Sequence, residues 1–384
     1  MSFEINLWKE VLEKKAFDNN YLKNLENEIE KSLSFRLISR KQQLEKLIEA
    51  YQNEQLVLVL GAGVSVEYGL PNWDALLQNL LLTSFKTETQ QPPEKSLILA
   101  KLFTKLFSPN PLIAARYLRN YYKQNKNTSV KKFEQAIRDT LYKHLNEKKK
   151  SNILSEIIQL CVAPGKSPNL DSIITFNYDD ILESHLSQLN IEIPFKTISK
   201  VGQRPKPGEL PIYHVHGFLP RDGDISEDIQ ITLSEDIYHQ QYNNIYSWNN
   251  IIQLNKYRDN VCLFIGISLS DPNLRRLLDI AKVQRGNDDP IHFIIRKKYN
   301  SSLLENNLSQ ILDQNPDLLD EKSKANLKLD ESVKYLVRVM EKFETQDDLS
   351  FGINTIWVND YEEIPSILKS IRKREPIIGK NKHS

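Results

Sequence analysis

From residue 170 onward, short apolar strands alternate with amphipathic helices, and this alternation limits the available folds more than any other feature of the sequence. Such alternation is typical of a parallel sheet covered by helices on both faces. Helices are predicted at about 73–84, 179–189, 235–256, 272–284 and 361–372. Strands are predicted at 55–60, 171–176, 211–215, 229–233, 260–265, 290–296 and 354–358. The predicted fold class is α/β, a doubly wound parallel, Rossmann-like sheet.

Helical segments surround the predicted sheet and set the expected domain boundaries. Apolar residues recur every three or four positions in "LWKEVLEKK" and "LISRKQQLEKLIEAYQ", so residues 1–54 are predicted to form a helical N-terminal extension. The main domain is expected over 55–372, with helical insertions at about 94–160 and 299–345, followed by a basic C-terminal tail, 373–384. The additions either cover the sheet or provide contacts for partners.

Charge and cysteine content exclude several classes of protein. The 384 residues include 51 basic and 50 acidic side chains, so no overall field indicates nucleic acid or a membrane surface. No segment approaches the ~18 apolar residues of a spanning helix, and the N-terminus lacks a signal sequence, so a soluble, cytoplasmic protein is expected. Cys161 and Cys262 are predicted to be core thiols, because two cysteines cannot form a four-cysteine zinc site.

A glycine-rich loop follows the first predicted strand. Gly61-Ala62-Gly63 comes directly after the apolar run, and Ser65 and Gly69 lie close behind. Free backbone amides after a strand, next to the start of a helix, are suited to bind a diphosphate. The same residues also fit a tight strand–helix turn that binds no ligand.

Two familiar phosphate-binding motifs are absent. The dinucleotide fingerprint needs a glycine where Val66 stands, and it needs an acidic residue about 20 positions further on, which is also missing. The sequence "GKS" at 165–167 does not complete a P-loop, because Leu160 replaces its first glycine and Pro168 follows at once. The chain is therefore not predicted to be an NTPase.

Polar or small residues also follow other predicted strands, at the ends where open α/β sheets bind ligands. They lie at 176–180, 214–217 and 266–271. In a regular strand His214 and His216 would share a face, and either could be structural. Gly217 favours His216 as the functional one, because glycine permits close approach of a ligand.

One of two adjacent aspartates in the first of these segments is expected to cap the helix that follows. Asp179 and Asp180 both stand where that helix begins. A capping role for one leaves the other available for a ligand.

The ordered set of motifs resembles the sirtuin superfamily. "GAGVS…GLP", "TFNYD", "HG" and "GIS" occur in the sirtuin order over residues 57–268, and "INTIWVNDYEEIPSIL" extends the likeness to about 369. The resemblance implies that 55–372 is an NAD-binding catalytic domain. It assigns catalysis to Asn177, beside the nicotinamide ribose, and to His216, as general base. The residues it assigns to NAD binding are Gly61, Ala62, Gly63, Ser65, Pro71, Trp73, Asp179, Gly266, Ser268 and Tyr361.

The departures from sirtuin deacetylases are as informative as the matches. Residues 217–260 contain no cysteine, so the zinc module of those enzymes is missing and no zinc is expected. The chain is most similar to zinc-free sirtuin-like proteins of bacterial antiphage defence, in particular a subunit that works with a HerA-type hexameric ATPase. This resemblance implies an NAD glycohydrolase that depletes NAD in abortive infection, forms a homo-oligomer and is gated by assembly or by that ATPase. An NAD-dependent protein-lysine deacylase and a non-catalytic NAD- or ADP-ribose-binding module remain open.

Overall fold

The computed structural model describes residues 37–89, 110–124, 132–162, 169–189, 194–226, 229–286, 289–316 and 328–374, with residues 24, 27, 28 and 31 of the N-terminal region. Within them lies a seven-stranded parallel sheet with strand order β3-β4-β2-β1-β5-β6-β7. The strands are β1 (Leu56–Leu60), β2 (Leu170–Thr175), β3 (Phe195–Ile198), β4 (Leu210–His214), β5 (Val261–Ile265), β6 (His292–Lys297) and β7 (Ile353–Val358).

Helices flank the sheet. They are α1 (Arg40–Gln52), α2 (Trp73–Thr89), α3 (Pro111–Gln124), α4 (Lys132–Tyr142), α5 (Asn152–Cys161), α6 (Ile181–Ser187), α7 (Glu235–Asn243), α8 (Trp248–Asp259), α9 (Pro272–Arg285), α10 (Ser301–Gln314), α11 (Leu329–Ser350) and α12 (Ile364–Lys373). Among the described residues, none of these helices is both long enough and apolar enough to span a membrane.

The core lies on both faces of the sheet, as the unbroken apolar strands predict. In β1, Leu56, Leu58 and Leu60 belong to one buried cluster, whereas Val57 and Val59 belong to another. Successive side chains of a strand point to opposite faces, so this division shows that helices cover both sides. The predicted α/β class, with a doubly wound parallel sheet, is confirmed.

The strand order places a topological switch point beside β1. From β1 the chain continues toward β2, β4 and β3 on one side, and from β5 it continues toward β6 and β7 on the other. Connections that leave neighbouring strands in opposite directions open a crevice at the carboxyl ends of those strands. The glycine loop after β1 and the loop after β5 both lie at this crevice.

One strand prediction is wrong and one strand was not predicted. Residues 229–233 form no strand; the Thr232 amide instead donates to the His216 carbonyl (2.8 Å), and Ile231 and Leu233 are buried without a ladder. An alternating apolar pattern records burial, and here burial does not require strand pairing. The unpredicted strand, β3, is a half-exposed edge strand whose sequence carries little apolar signal.

The helical predictions hold with several changes of detail, and α2 continues to Thr89 rather than ending at about residue 84. The segment 235–256 forms two helices, α7 and α8. At the junction between them, the side-chain Nδ2 of Asn250 donates to the backbone carbonyls of Gln241 and Asn244. Helix α6 begins at Ile181 rather than at residue 179. The segment 361–372 opens with a short 3-10 turn before α12.

The helical additions can be compared with the structure only in part. Helix α1 packs on the sheet through buried Leu44 and Leu47, and Gln43 Nε2 donates to the Thr355 carbonyl (3.0 Å). This part of the N-terminal extension therefore covers the core. The segment "LWKEVLEKK" and residues 375–384 of the tail lie outside the described residues. Cys161 and Cys262 are buried free thiols, which confirms that prediction.

Candidate active site

The loops after β1 and β5 touch at the switch point, and glycine backbone makes the contact. The Gly61 amide donates to the Ile265 carbonyl (3.0 Å), and the Gly63 amide donates to the Gly266 carbonyl (3.0 Å). A Cβ on Gly61 would lie 2.5 Å from the Gly266 oxygen, and one on Gly63 would lie 2.7 Å from the Gly266 Cα. Gly266 has a φ of +66°, a conformation that favours glycine. Side chains are therefore excluded where the two loops meet.

This contact changes one expectation about the glycine loop. The amides of Gly61 and Gly63 are not free to approach a diphosphate, because the carbonyls of Ile265, the last residue of β5, and of Gly266 already accept them. Gly63 is nevertheless exposed, and Ala62 is half-buried. The outward surface of the turn can thus lie against a ligand while its inner amides join the two loops. The assignment of these residues to NAD binding stays a prediction.

Asn177, directly beyond β2, is held in a chain of hydrogen bonds. Its Nδ2 donates to Ser65 Oγ (3.1 Å), and the Ser65 hydroxyl donates to Asp179 Oδ1 (3.2 Å). All three side chains are buried. Because the Ser65 hydroxyl donates its one hydrogen to Asp179, its oxygen can only accept from Asn177. The nitrogen end of the Asn177 carboxamide therefore faces Ser65.

The two adjacent aspartates have different partners. Asp179 Oδ1 also accepts from the Ile181 amide (3.1 Å), the first amide of α6, whereas Asp180 occupies the N-cap position without a side-chain capping bond. Burial raises the pKa of Asp179 to about 6, although the bonds from Ile181 and Ser65 oppose the rise. Asp180 instead accepts from Arg221 Nε (2.9 Å) and from the Tyr142 hydroxyl (3.2 Å), and it ties the surrounding loops together.

His214 forms a buried ion pair. Its Nε2 lies 2.6 Å from Glu183 Oε1, and its Nδ1 lies 3.0 Å from the Asn177 carbonyl oxygen. Both partners are acceptors, so both ring nitrogens carry protons. Burial opposes this charge, but the Glu183 carboxylate outweighs it and raises the pKa of His214 above its usual value. His214 therefore helps to hold the backbone of Asn177 in place through this hydrogen bond.

His216 lies in a different environment, because β4 ends at His214 and the alternation stops. Its ring packs edge-on against Phe176 (centroids 4.6 Å apart) and Tyr238 (5.9 Å). Its Nε2 is buried, forms no hydrogen bond and lies 3.4 Å from Asp271 Oδ2. Burial lowers the pKa of His216, and the Asp271 charge opposes that only in part. His216 is therefore neutral near pH 7 and able to accept a proton.

A small cavity lies between the polar side chains. Its walls include Ser65, Asn177, Asp179, Glu183 and His214, and its volume is about 10 Å³. That volume is near the minimum for a single water molecule, far below the size of a dinucleotide. This cavity is therefore too small to hold a dinucleotide.

The remaining predicted residues are not all brought together. Ser268 is exposed beside Gly266, and its Oγ lies 2.7 Å from Ser270 Oγ. Pro71 and Trp73 are half-buried where α2 begins, and Trp73 packs against the core.

Tyr361 lies apart from this group. It is 53% exposed beyond edge strand β7, and the Lys297 ammonium lies 5.2 Å from its ring centroid. Tyr361 follows β7, and β7 lies two strand spacings from β5, or roughly 10 Å. The structure does not place Tyr361 beside the glycine loop, and its role at the adenine stays a prediction.

Two acidic residues of the cluster were given no role by the sequence. Glu183 lies on α6 and carries no signal beyond that of an ordinary helical residue. Asp271 precedes Pro272, a pattern typical of a helix N-terminus, and the structure shows that cap. The sequence pattern predicts only this cap, and it gives no indication that Asp271 also contacts His216.

The fold and this edge define an α/β protein whose polar residues gather at the switch point of a doubly wound sheet. Residues 171–317 match the SIR2-like domain family, a stretch that contains Asn177 and His216. Over that stretch, the match agrees with the sirtuin-like part of the predicted resemblance.

Curated relatives point the same way. The chain is 24% identical to the NAD(+) hydrolase ThsA of Enterococcus faecium over 88% of this chain and 59% of that protein. It is 22% identical to the NAD(+) hydrolase ThsA of Cytobacillus dafuensis over 86% of this chain and 55% of that protein. It is 23% identical to the NAD(+) hydrolase ThsA of Bacillus cereus (strain MSX-D12) over 83% of this chain and 54% of that protein. The chain thus spans less than two thirds of the length of these relatives.

No group of three or more histidine, cysteine, aspartate or glutamate side chains in the described part of the chain is arranged to hold a metal ion. The hydrogen bonds of the polar cluster link side chains to one another and to the backbone.

Proposed function

We propose that this chain hydrolyses NAD to nicotinamide and ADP-ribose. The observation that carries the proposal is a buried, neutral His216 packed against Phe176, the residue before Asn177. Asn177 bonds to Ser65 of the glycine loop, and His216 faces Asp271 beyond β5, so both lie at the carboxyl edge of the sheet. The SIR2-like match and the relatives named NAD(+) hydrolase support it.

The reaction balances with water as the only co-reactant. The bond between C1′ of the ribose and the nicotinamide nitrogen breaks, and its electron pair leaves with nicotinamide, which departs as a neutral base. Water forms the new bond to C1′, and His216 takes the proton that water loses. A positioned general base typically contributes ~10²–10⁴-fold.

Asn177 has the other expected role in this reaction. The ribose gains positive charge as nicotinamide leaves, and the carboxamide dipole of Asn177, fixed by Ser65, is available to stabilise that charge or to orient water. Preorganised dipoles of this kind are typically worth a few kcal/mol each.

The test is nicotinamide release from NAD by the purified chain without an acyl peptide. We expect His216→Ala and Asn177→Ala to lower the rate by about 10²-fold or more. His239→Ala is the matched control, because His239 is an exposed histidine on α7. Turnover that survives both site substitutions would overturn the assignment of roles.

The same assay separates the alternative functions. A protein-lysine deacylase would release nicotinamide only when an acyl-lysine peptide is present. A binding module would bind NAD or ADP-ribose without releasing nicotinamide under any condition.

The wider role follows the resemblance of the sequence. We propose that the enzyme acts in the cytoplasm, depletes NAD in antiphage defence by abortive infection, and is gated by homo-oligomer assembly or by a HerA-type hexameric ATPase. Sedimentation of the intact chain tests self-association. Nicotinamide release measured with and without the ATPase tests gating, and equal rates would remove that partner from the proposal.

A further inference from the structure

Asp271 connects His216 to two helices. Its Oδ1 accepts from the Leu274 amide (2.7 Å) and so caps α9. Its Oδ2 accepts a short hydrogen bond from the Tyr238 hydroxyl of α7 and lies 3.4 Å from His216 Nε2. The Asp271 side chain is only 12% exposed. The carboxylate is therefore fixed on one side by α7 and α9, and it faces the imidazole on the other.

We infer that Asp271 is a positioning residue that keeps the proton of neutral His216 on Nε2, so that Nδ1 is the nitrogen that accepts a proton. A carboxylate oxygen only accepts, so the ring nitrogen that faces it is the favoured site of the N–H. For catalysis the inference rests on the proposed function: Nδ1 takes the proton of the attacking water, and the resulting imidazolium is paired with Asp271.

The neighbouring titratable groups do not compete for this role. Among the described residues, the side chains on which the Asp271 charge acts include Tyr178, Tyr238, Tyr242 and Tyr257. Burial raises the pKa of each tyrosine above its usual value, and the Asp271 charge raises it further. They stay neutral through the range in which histidine titrates, so Asp271 supplies the charge that His216 meets.

The test that does not depend on activity is ¹⁵N and ¹³C NMR of the full chain with labelled histidine, the His216 signal being identified by its loss in His216→Ala. In the neutral form we expect His216 to show a protonated Nε2 and an unprotonated Nδ1. A proton on Nδ1, or an even mixture of the two tautomers, would overturn the inference.

Asp271→Asn isolates the charge, because asparagine caps a helix about as well as aspartate. We expect it to lower the pKa of His216, since the imidazolium loses its negative neighbour. Tyr238→Phe should have the opposite effect, because removing the hydroxyl concentrates the charge of Asp271 and raises the pKa of His216. Asp279→Asn, at an exposed position of the same helix, should leave it unchanged. An unchanged pKa in Asp271→Asn would sink the proposal.

Activity then provides a separate readout. Asp271→Asn should lower kcat for nicotinamide release by roughly 10- to 100-fold, part of the general-base contribution, with KM unchanged. The acid limb of its pH profile should move to lower pH by the amount that NMR measures. If the wild-type chain releases no nicotinamide either alone or with the ATPase but the NMR results hold, the proposed function fails and the inference about His216 stands. A normal kcat and an unmoved acid limb in an active enzyme would overturn the inference alone.

Discussion

His214 and His216 are two residues apart and both buried, yet their surroundings push their charges in opposite directions. His214 bonds to Glu183 and to the Asn177 carbonyl, and its pKa is raised. His216 meets two aromatic rings and a more distant carboxylate, and its pKa is lowered. The end of β4 between them allows the two rings to enter different environments.

The difference teaches that burial alone does not determine the state of a histidine. What decides it is whether a carboxylate is close enough to form a hydrogen bond: Glu183 is 2.6 Å from His214, and Asp271 is 3.4 Å from His216. The first histidine is consequently a fixed charge that holds the structure, and the second is a base with a free lone pair.

The largest expected effect separates the two histidines by stability. His214→Gln should cost about 3–5 kcal/mol of unfolding free energy, because it leaves Glu183 buried without a cation. His216→Gln should cost about 1 kcal/mol, since it breaks no ion pair. Urea unfolding near neutral pH measures both, and equal losses would contradict the contrast.

A double-mutant cycle sharpens the assignment of the ion pair. Glu183→Gln alone should cost about 3 kcal/mol, because the His214 imidazolium is then unpaired. Combined with His214→Gln, the total loss should be smaller than the sum by about 1–3 kcal/mol. Strict additivity would show that the two side chains do not form a coupled pair in solution.

The pH dependence of stability should have opposite signs at the two sites. Because folding raises the pKa of His214, its contribution is complete below the unfolded pKa, about 6.5, and is lost as pH rises through the folded value. Because folding lowers the pKa of His216, stability at that site falls as pH drops below about 6.5.

Unfolding curves measured over a pH series would resolve the two contributions. His214→Gln should remove the loss on the alkaline side, and His216→Gln should remove the loss on the acid side. The reverse pattern would mean that the roles are exchanged.

The smallest effect is expected at the edge of the sheet. Thr197 Oγ1 on β3 donates to Glu183 Oε1 over 3.3 Å. Thr197→Val should therefore cost only about 0.5–1 kcal/mol, with nicotinamide release unchanged. A loss as large as that of His214→Gln would place Thr197, rather than His214, as the main partner of Glu183.

Most of the sheet could be predicted from the sequence because its strands are apolar on both faces. The central strand β1 is buried along its whole length, and its apolar run is unmistakable. Edge strand β3 escaped prediction because exposed or half-buried residues such as Lys196 and Thr197 weaken the pattern. Residues 229–233 misled because Ile231 and Leu233 are buried against the loop after β4 without joining the sheet.

The site was predictable only where its residues follow strands. Asn177 and His216 stand at strand ends, and the strand pattern together with the sirtuin-like order of motifs pointed to them. Glu183 lies on α6 and Asp271 caps α9, and their approach to the histidines depends on how those helices pack. No local pattern encodes such a long-range distance.

The glycine contact at the switch point has a mechanical consequence. The loops after β1 and β5 lead to opposite halves of the sheet, yet backbone touches backbone where Gly63 meets Gly266. Because backbone hydrogen bonds join the two loops, we expect them to move together. A dinucleotide bound across both would therefore contact a single rigid surface. Conformational change on ligand binding is then expected in the outward-facing residues, such as Ala62 and Ser268. A displacement of the loop after β1 would also displace the loop after β5, and so couple the two halves of the sheet.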